Sequence, residues 1–97
     1  MHHRSRNEVL AIVLSTLASV NPTLASADAD TPLLGGMAAV DSVGFVTLLV
    51  SLEQYLSDDS LVTAFMELGG VAEEDHPFRT VGTLADHIHR RQAAPAA

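Results

Sequence analysis

Apolar residues recur at helical spacing through most of this chain, and that periodicity limits the possible fold more than any other feature. The first stripe, at positions i, i+3, i+4 and i+7, is formed by Leu10, Val13, Leu14 and Leu17. This spacing places side chains on one face of an amphipathic helix, whereas a half-buried strand needs strict alternation. No segment shows the pattern of a strand ladder. The sequence therefore predicts an all-α protein, a small four-helix bundle.

Helix start and stop signals divide the chain into four helices and one long connection. The first predicted helix, at about residues 5–19, ends at Asn21-Pro22 because proline disfavours helical dihedral angles in the residue before it. The other helices are predicted at about residues 42–56, 61–68 and 80–91. Residues 22–41 form a long loop between helices one and two. The loop is predicted to pack against the core because it carries Leu24, Leu33, Leu34 and Met37.

Size and composition exclude several classes of protein. The chain has 97 residues, which suits one domain, and it is 47% hydrophobic but only 4% aromatic, which predicts an aliphatic core. We expect a single domain over residues 1–97, with an ordered core at about residues 5–91 and flexible ends. The absence of cysteine excludes disulfide scaffolds, Cys-based metal sites and a cysteine nucleophile. A formal charge of −7 argues against nucleic acid or an anionic membrane as partner, because both attract basic surfaces.

The N-terminal segment imitates a secretion signal. Arg4 and Arg6 precede an apolar stretch at residues 9–20, and a small-x-small sequence follows at residues 25–27. Glu8, at the start of the apolar stretch, favours an amphipathic first helix instead. Polar residues also interrupt the stretch at helical spacing, namely Ser15, Thr16 and Ser19. We therefore expect a cytoplasmic protein.

The second predicted helix carries two apolar stripes. One stripe is an ordinary core face, formed by Phe45, Leu48, Leu49, Leu52 and Leu56. The other, which we call the valine strip, consists of Val43, Val46 and Val50 and is flanked by Thr47 and Glu53. One interpretation is that a small bundle buries this helix on all sides. The other is that the strip is an exposed docking surface.

Ser42 stands at the start of this helix and also has two interpretations. Serine is a favoured N-cap, so the residue is either a simple helix cap or something more. A helix N-terminus offers free N–H groups and a partial positive charge, so it stabilises an attached phosphate. Ser42 is therefore a candidate modification site. Asp41 beside it is a candidate contact for a metal ion or a basic partner during the modification.

Two sequence blocks resemble a known family. Residues 40–45, Val-Asp-Ser-Val-Gly-Phe, resemble the Asp-Ser-Leu signature of acyl and peptidyl carrier proteins. Leu52-Glu53 resembles the "ALE" stretch that follows about ten residues later. Residues 77–88 resemble the closing block "F-x-T-V-x-x-L-A-x-x-I" of the same family. The resemblance extends over roughly residues 7–89.

The resemblance implies a function without catalysis. A phosphopantetheinyl transferase would attach 4′-phosphopantetheine from coenzyme A to Ser42, with Asp41 flanking the attachment site. The terminal thiol would carry an acyl or aminoacyl group as a thioester. The chain, expected to be a free-standing monomer, would present this cargo to enzymes of a specialised fatty-acid, polyketide or nonribosomal-peptide pathway that acylate, extend, modify or release it.

The second helix would be the recognition element for these enzymes. The residues expected to dock partners are Val43, Val46, Thr47, Val50 and Glu53. Fatty-acid carriers have acidic residues near the serine, whereas this chain has Gly44 and Thr47 there. Its partners are therefore expected to rely less on ion pairs and more on apolar contacts.

Other classes of function fit the sequence less well. A hydrolase nucleophile elbow needs glycine two residues before the serine, where this chain has Val40. His87 and His89 are two residues apart on a helix, so they point to different faces and are not expected to chelate a metal together. His76 is expected to cap a helix or face solvent. The remaining alternative is a helical adaptor in which Ser42 is only a cap.

Overall fold

The described part of the chain contains four α-helices: α1 (Arg6–Val20), α2 (Ser42–Leu56), α3 (Leu61–Glu67) and α4 (Val81–Ala93). The structure is a computed structural model that describes residues 4–35, 38–56, 60–70, 72 and 75–93. Within these ranges no strand forms, and Pro32 and Thr80 make an isolated β-bridge. α1 packs against both α4 and α2, and α3 packs against α2. The predicted all-α fold is confirmed.

α1 begins with a capping box. The Ser5 hydroxyl accepts a hydrogen bond from the Glu8 amide, and the Glu8 carboxylate accepts one from the Ser5 amide. The helix ends at Val20, before Asn21 and Pro22, as predicted. Its fully buried residues are Val9, Val13 and Leu17. The predicted stripe is thus rotated slightly, because Leu10 and Leu14 are only half-buried against the core.

The long loop is held against the start of α4. Leu33 N–H donates to the Arg79 carbonyl at 2.7 Å, and Gly82 N–H donates to the Ala29 carbonyl at 2.8 Å. This approach needs glycine, because a Cβ at position 82 would lie 3.0 Å from the Ala29 oxygen. Leu33 is buried and Leu24 and Leu34 pack against the core, which confirms the predicted packing. Met37 lies outside the described residues.

The last two helices differ slightly from their predicted bounds. α3 ends at Glu67, because Leu68 already leaves the helical conformation as its C-cap. α4 begins after Thr80, whose hydroxyl accepts from the Thr83 amide at 3.2 Å. The helix continues to Ala93, beyond the predicted end at Arg91.

The core contains more aromatic side chains than the composition predicted. Phe45 and Phe78 are buried together with leucine and valine side chains from α1, α2 and α4. Phe65 of α3 packs edge-to-face on Phe45, with ring centroids 4.8 Å apart. The core is otherwise aliphatic, as predicted, and Phe45 lies on the core face predicted for α2. Of the helices described, none is long and apolar enough to cross a membrane.

Candidate functional site

Asp41, not Ser42, caps α2. Its Oδ1 accepts a hydrogen bond from the Gly44 amide at 2.7 Å, and its backbone carbonyl accepts from the Phe45 amide at 2.8 Å. Ser42 is the first residue of the helix itself. The interpretation of Ser42 as the helix cap is therefore wrong. A carboxylate is well suited to this position, since it accepts hydrogen bonds and favours the positive end of the helix dipole.

The Ser42 side chain is exposed and keeps its hydroxyl available. Its Oγ has no hydrogen-bond partner among the described residues, and the Gly44 amide donates to Asp41 instead. The hydroxyl lies at the N-terminus of a 15-residue helix, where free N–H groups and the helix dipole favour a negatively charged group. The position is thus open to solvent and electrostatically suited to a phosphate ester.

An apolar cleft opens beside Ser42. It has a volume of about 370 Å³ and lies between the long loop, α2 and α3. Its lining residues are Leu33, Leu34, Gly35, Ala38, Val40, Asp41, Ser42, Phe45, Val46 and Phe65. This volume falls at the lower end of the range for small-molecule sites, about 300–1,000 Å³. Apolar residues in the loop predicted a packed loop, whereas no local pattern indicated Phe65, which lines the cleft from α3.

The valine strip is exposed. The exposed fractions of Val43, Val46 and Val50 are 76%, 45% and 39%. The opposite face, formed by the predicted core residues of α2, is buried. Burial of α2 on all sides is therefore excluded. Thr47 is exposed as well, and its hydroxyl donates to the Val43 carbonyl at 2.8 Å.

The two acidic residues nearest to the valine strip, Asp41 and Glu53, accept hydrogen bonds within the protein. Glu53 is half-buried, and its carboxylate accepts a hydrogen bond from the Val62 amide at 3.0 Å. That amide belongs to the first turn of α3, where Ser60 makes no side-chain cap. The Asp41 carboxylate is engaged at the start of α2. Glu53 thus stabilises α3, and its predicted contact with partners stays a prediction.

His76 is buried, so of its two expected placements, a cap or a solvent-facing side chain, the second is wrong. Its exposed fraction is 7%, and its Nδ1 accepts a hydrogen bond from the Phe78 amide at 3.0 Å. Burial lowers the pKa of the imidazole. This placement depends on how the loop before α4 packs against α3, and local sequence patterns do not encode it.

Metal binding finds no support in the arrangement of side chains. In the described ranges, no group of three or more histidine, aspartate or glutamate side chains is placed to hold a metal ion. His87 packs its ring against Phe78, with centroids 5.1 Å apart. The described site therefore consists of a serine hydroxyl, an apolar cleft and an exposed apolar helix face.

Comparisons of the chain with protein-family models, with curated proteins and with solved structures found no match. The resemblance to carrier proteins therefore depends on the motif residues alone.

Proposed function

We propose that this protein is an acyl or peptidyl carrier protein whose prosthetic group is attached at Ser42. The Ser42 Oγ attacks the phosphorus of coenzyme A that bears the pantetheine. A new P–O bond forms, the pyrophosphate bond breaks, 3′,5′-ADP leaves, and the hydroxyl proton passes to the transferase or to solvent. The product would be a phosphodiester held by Ser42, and the thiol of the attached group would supply the thioester chemistry that carries the cargo. The chain itself is not an enzyme in this proposal.

The observation that supports the proposal most strongly is that Asp41, and not Ser42, accepts the capping hydrogen bond at the start of α2. Because Asp41 caps the helix, the Ser42 hydroxyl is not occupied by a capping hydrogen bond. The phosphodiester would stand at the positive end of α2, where the helix dipole stabilises its charge. The 4′-phosphopantetheine fits the residues present, since Ser42 is exposed and the adjoining cleft leaves room for the start of the tether.

The valine strip supports docking of partner enzymes through apolar contacts. Between Ser42 and Leu52, α2 carries no charged residue. The nearest acidic side chains, Asp41 and Glu53, are engaged in hydrogen bonds at helix N-termini. A partner with an apolar docking surface is therefore favoured over one that relies on a basic patch. We further propose that the protein works as a cytoplasmic monomer.

A helical adaptor is the second candidate function, because the exposed valine strip would serve it equally well. Such an adaptor would bind a partner through the same face and would carry no prosthetic group. The two candidates differ only in what happens at Ser42.

Intact-mass spectrometry separates the two. The purified protein is incubated with coenzyme A, Mg²⁺ and a phosphopantetheinyl transferase of broad specificity. A carrier gains the mass of one phosphopantetheine, and Ser42→Ala abolishes the gain. Ser51→Ala is the matched control, because it removes a hydroxyl from the same helix and is expected to leave loading intact. A folded wild-type protein that gains no mass would contradict the carrier and favour the adaptor.

A further inference from the structure

α3 is the least firmly held helix of the described fold. It has seven residues, and Leu61 is its one fully buried side chain. Of the described helices only α2 packs against it, while α4 contacts its N-cap residue through the Arg91 guanidinium, which donates to the Ser60 hydroxyl. Its first turn depends on the Glu53 carboxylate, because Ser60 supplies no cap with its own side chain. Short elements with few buried contacts open at a lower free energy than the rest of a fold.

Phe65 connects α3 both to the core and to the candidate site. Its ring lies 4.8 Å from that of Phe45, 5.8 Å from that of Phe78 and 5.5 Å from that of His76, measured between centroids. The same side chain lines the cleft beside Ser42. Phe65 therefore contributes both to the attachment of α3 and to the wall of the cleft.

His76 supports Phe65 only while its imidazole is neutral. Nδ1 accepts a hydrogen bond from the Phe78 amide, and a protonated imidazole has no acceptor nitrogen. A charged ring would also be unfavourable at a position with 7% exposure between two phenylalanine rings. Protonation would therefore remove the hydrogen bond and disfavour the buried position of the ring.

A polar cleft on the outer side of His76 offers a destination for the charged ring. Among the described residues, the charged groups that line this cleft with His76 are Asp75, Arg79, Asp86 and Arg90. Asp86 also forms an ion pair with Arg6. The two carboxylates would attract an imidazolium, and the two arginines would repel it. The charges in this cleft therefore nearly cancel, and they give a protonated His76 little stabilisation once it has left the aromatic cluster.

We propose that His76 is a latch that holds α3 in place, and that its protonation releases α3 and opens the cleft beside Ser42. The latch itself follows from the contacts of His76 and Phe65. Its effect on cargo or on loading rests on the proposed carrier function. The device would couple the opening of the cleft beside Ser42 to acidity.

The direction of the pH dependence follows from the burial of His76. Burial lowers its pKa below the ordinary histidine value of about 6.5, which the residue regains when α3 is released. The released form therefore binds the proton more readily than the closed form. The latch is at full strength above about pH 6.5 and weakens as the pH falls, by up to about tenfold in the opening equilibrium per pH unit.

Amide hydrogen exchange of the full-length apo protein tests the latch. The reporter is the Ala64 amide in α3, bonded to the Ser60 carbonyl, and the reference is the Leu84 amide in α4, bonded to the Thr80 carbonyl. After correction for intrinsic exchange at each pH, Ala64 protection is expected to fall up to about tenfold per pH unit below 6.5. Leu84 protection is expected to stay constant over the same range.

Three variants complete the design. His76→Gln keeps an acceptor without titrating, so it should make Ala64 protection independent of pH, whereas His76→Leu should lower it at every pH. His89→Gln, the matched control on α4, should behave as wild type. The proposal is overturned if wild-type Ala64 protection does not change with pH, if Ala64 and Leu84 fall together, or if His76→Gln keeps the wild-type response. Should the variants not fold, NMR titration of the wild-type His76 ring decides, and a pKa above 6.5 overturns the latch.

A loading experiment separates the latch from the carrier function. The rate of phosphopantetheine transfer is measured for wild type and His76→Gln at the same series of pH values, and the ratio of the two rates cancels the pH dependence of the transferase. If this ratio changes as the pH is lowered from 6.5, the latch affects loading at Ser42. If the ratio stays constant, that part of the proposal is overturned. Absence of loading in both proteins contradicts the carrier function and leaves the exchange result standing.

Discussion

The starts of α1 and α2 use their serines in opposite ways. At α1, Ser5 is the cap, and its hydroxyl is occupied by the Glu8 amide. At α2, Asp41 takes that role and Ser42 stands one position later, inside the helix, with its hydroxyl unengaged. A shift of one residue thus separates a structural serine from an available one. A serine near a helix start therefore indicates a modification site only when another residue is known to cap the helix.

The exposed faces that follow these two starts differ as well. On α1 the exposed residues are polar or small, namely Asn7, Glu8, Ala11, Ser15 and Ser19. On α2 they include the valine strip, which leaves apolar area in water next to Ser42. Burial of such an apolar face by a partner is favourable, because it removes apolar area from water. The α1 face is already well solvated and would gain little from burial.

Removal of a helix cap is expected to have the largest effect on stability, and the first case is the acidic cap of α2. Asp41→Ala leaves the Gly44 amide without its partner and is expected to lower the free energy of unfolding by about 1 kcal/mol, within a range of about 0.5–2 kcal/mol. Asp41→Asn keeps an acceptor oxygen and should cost less. Urea denaturation followed by circular dichroism measures both. Equal stability of Asp41→Ala and wild type would contradict the assignment of Asp41 as the cap.

The two serines should separate under the same substitution. Ser5→Ala breaks a capping box and is expected to cost about 1 kcal/mol, whereas Ser42→Ala removes no hydrogen bond and should stay within about 0.5 kcal/mol of wild type. Phosphopantetheine loading should show the reverse order, being unaffected by Ser5→Ala and abolished by Ser42→Ala. A loss of stability in Ser42→Ala as large as that in Ser5→Ala would show that both serines are structural.

The one-residue distinction at α2 shows where sequence reasoning stops. Periodicity placed the core face of α2 correctly, because a repeat of 3.6 residues depends only on local order. It did not decide whether Asp41 or Ser42 is the cap, since both residue types suit that position and helix ends are uncertain by one or two residues. The hydrogen bond at Gly44 decides it, and it is visible only in the structure.

Contacts between helices were even less accessible from sequence. Glu53 reaches Val62 because α3 starts beside the end of α2, and the angle between the two helices is not written in either segment. His76 is buried because Phe65 and Phe78 meet around it from different parts of the chain. A histidine before proline in a polar segment gives no local sign of burial, so its placement could not be predicted.

The smallest expected effect on stability belongs to the valine strip. Val46 is 45% exposed, so Val46→Asp should change the free energy of unfolding by no more than about 0.5 kcal/mol, yet the new charge would have to be desolvated in any apolar interface. We therefore expect slower loading by the transferase with an unchanged melting temperature. Ala11→Asp, on the exposed face of α1, is the matched control and should leave loading at the wild-type rate. Collapse of the fold in Val46→Asp would show that the strip belongs to the core. Wild-type loading in a folded Val46→Asp protein would mean that the transferase approaches Ser42 without touching α2 there.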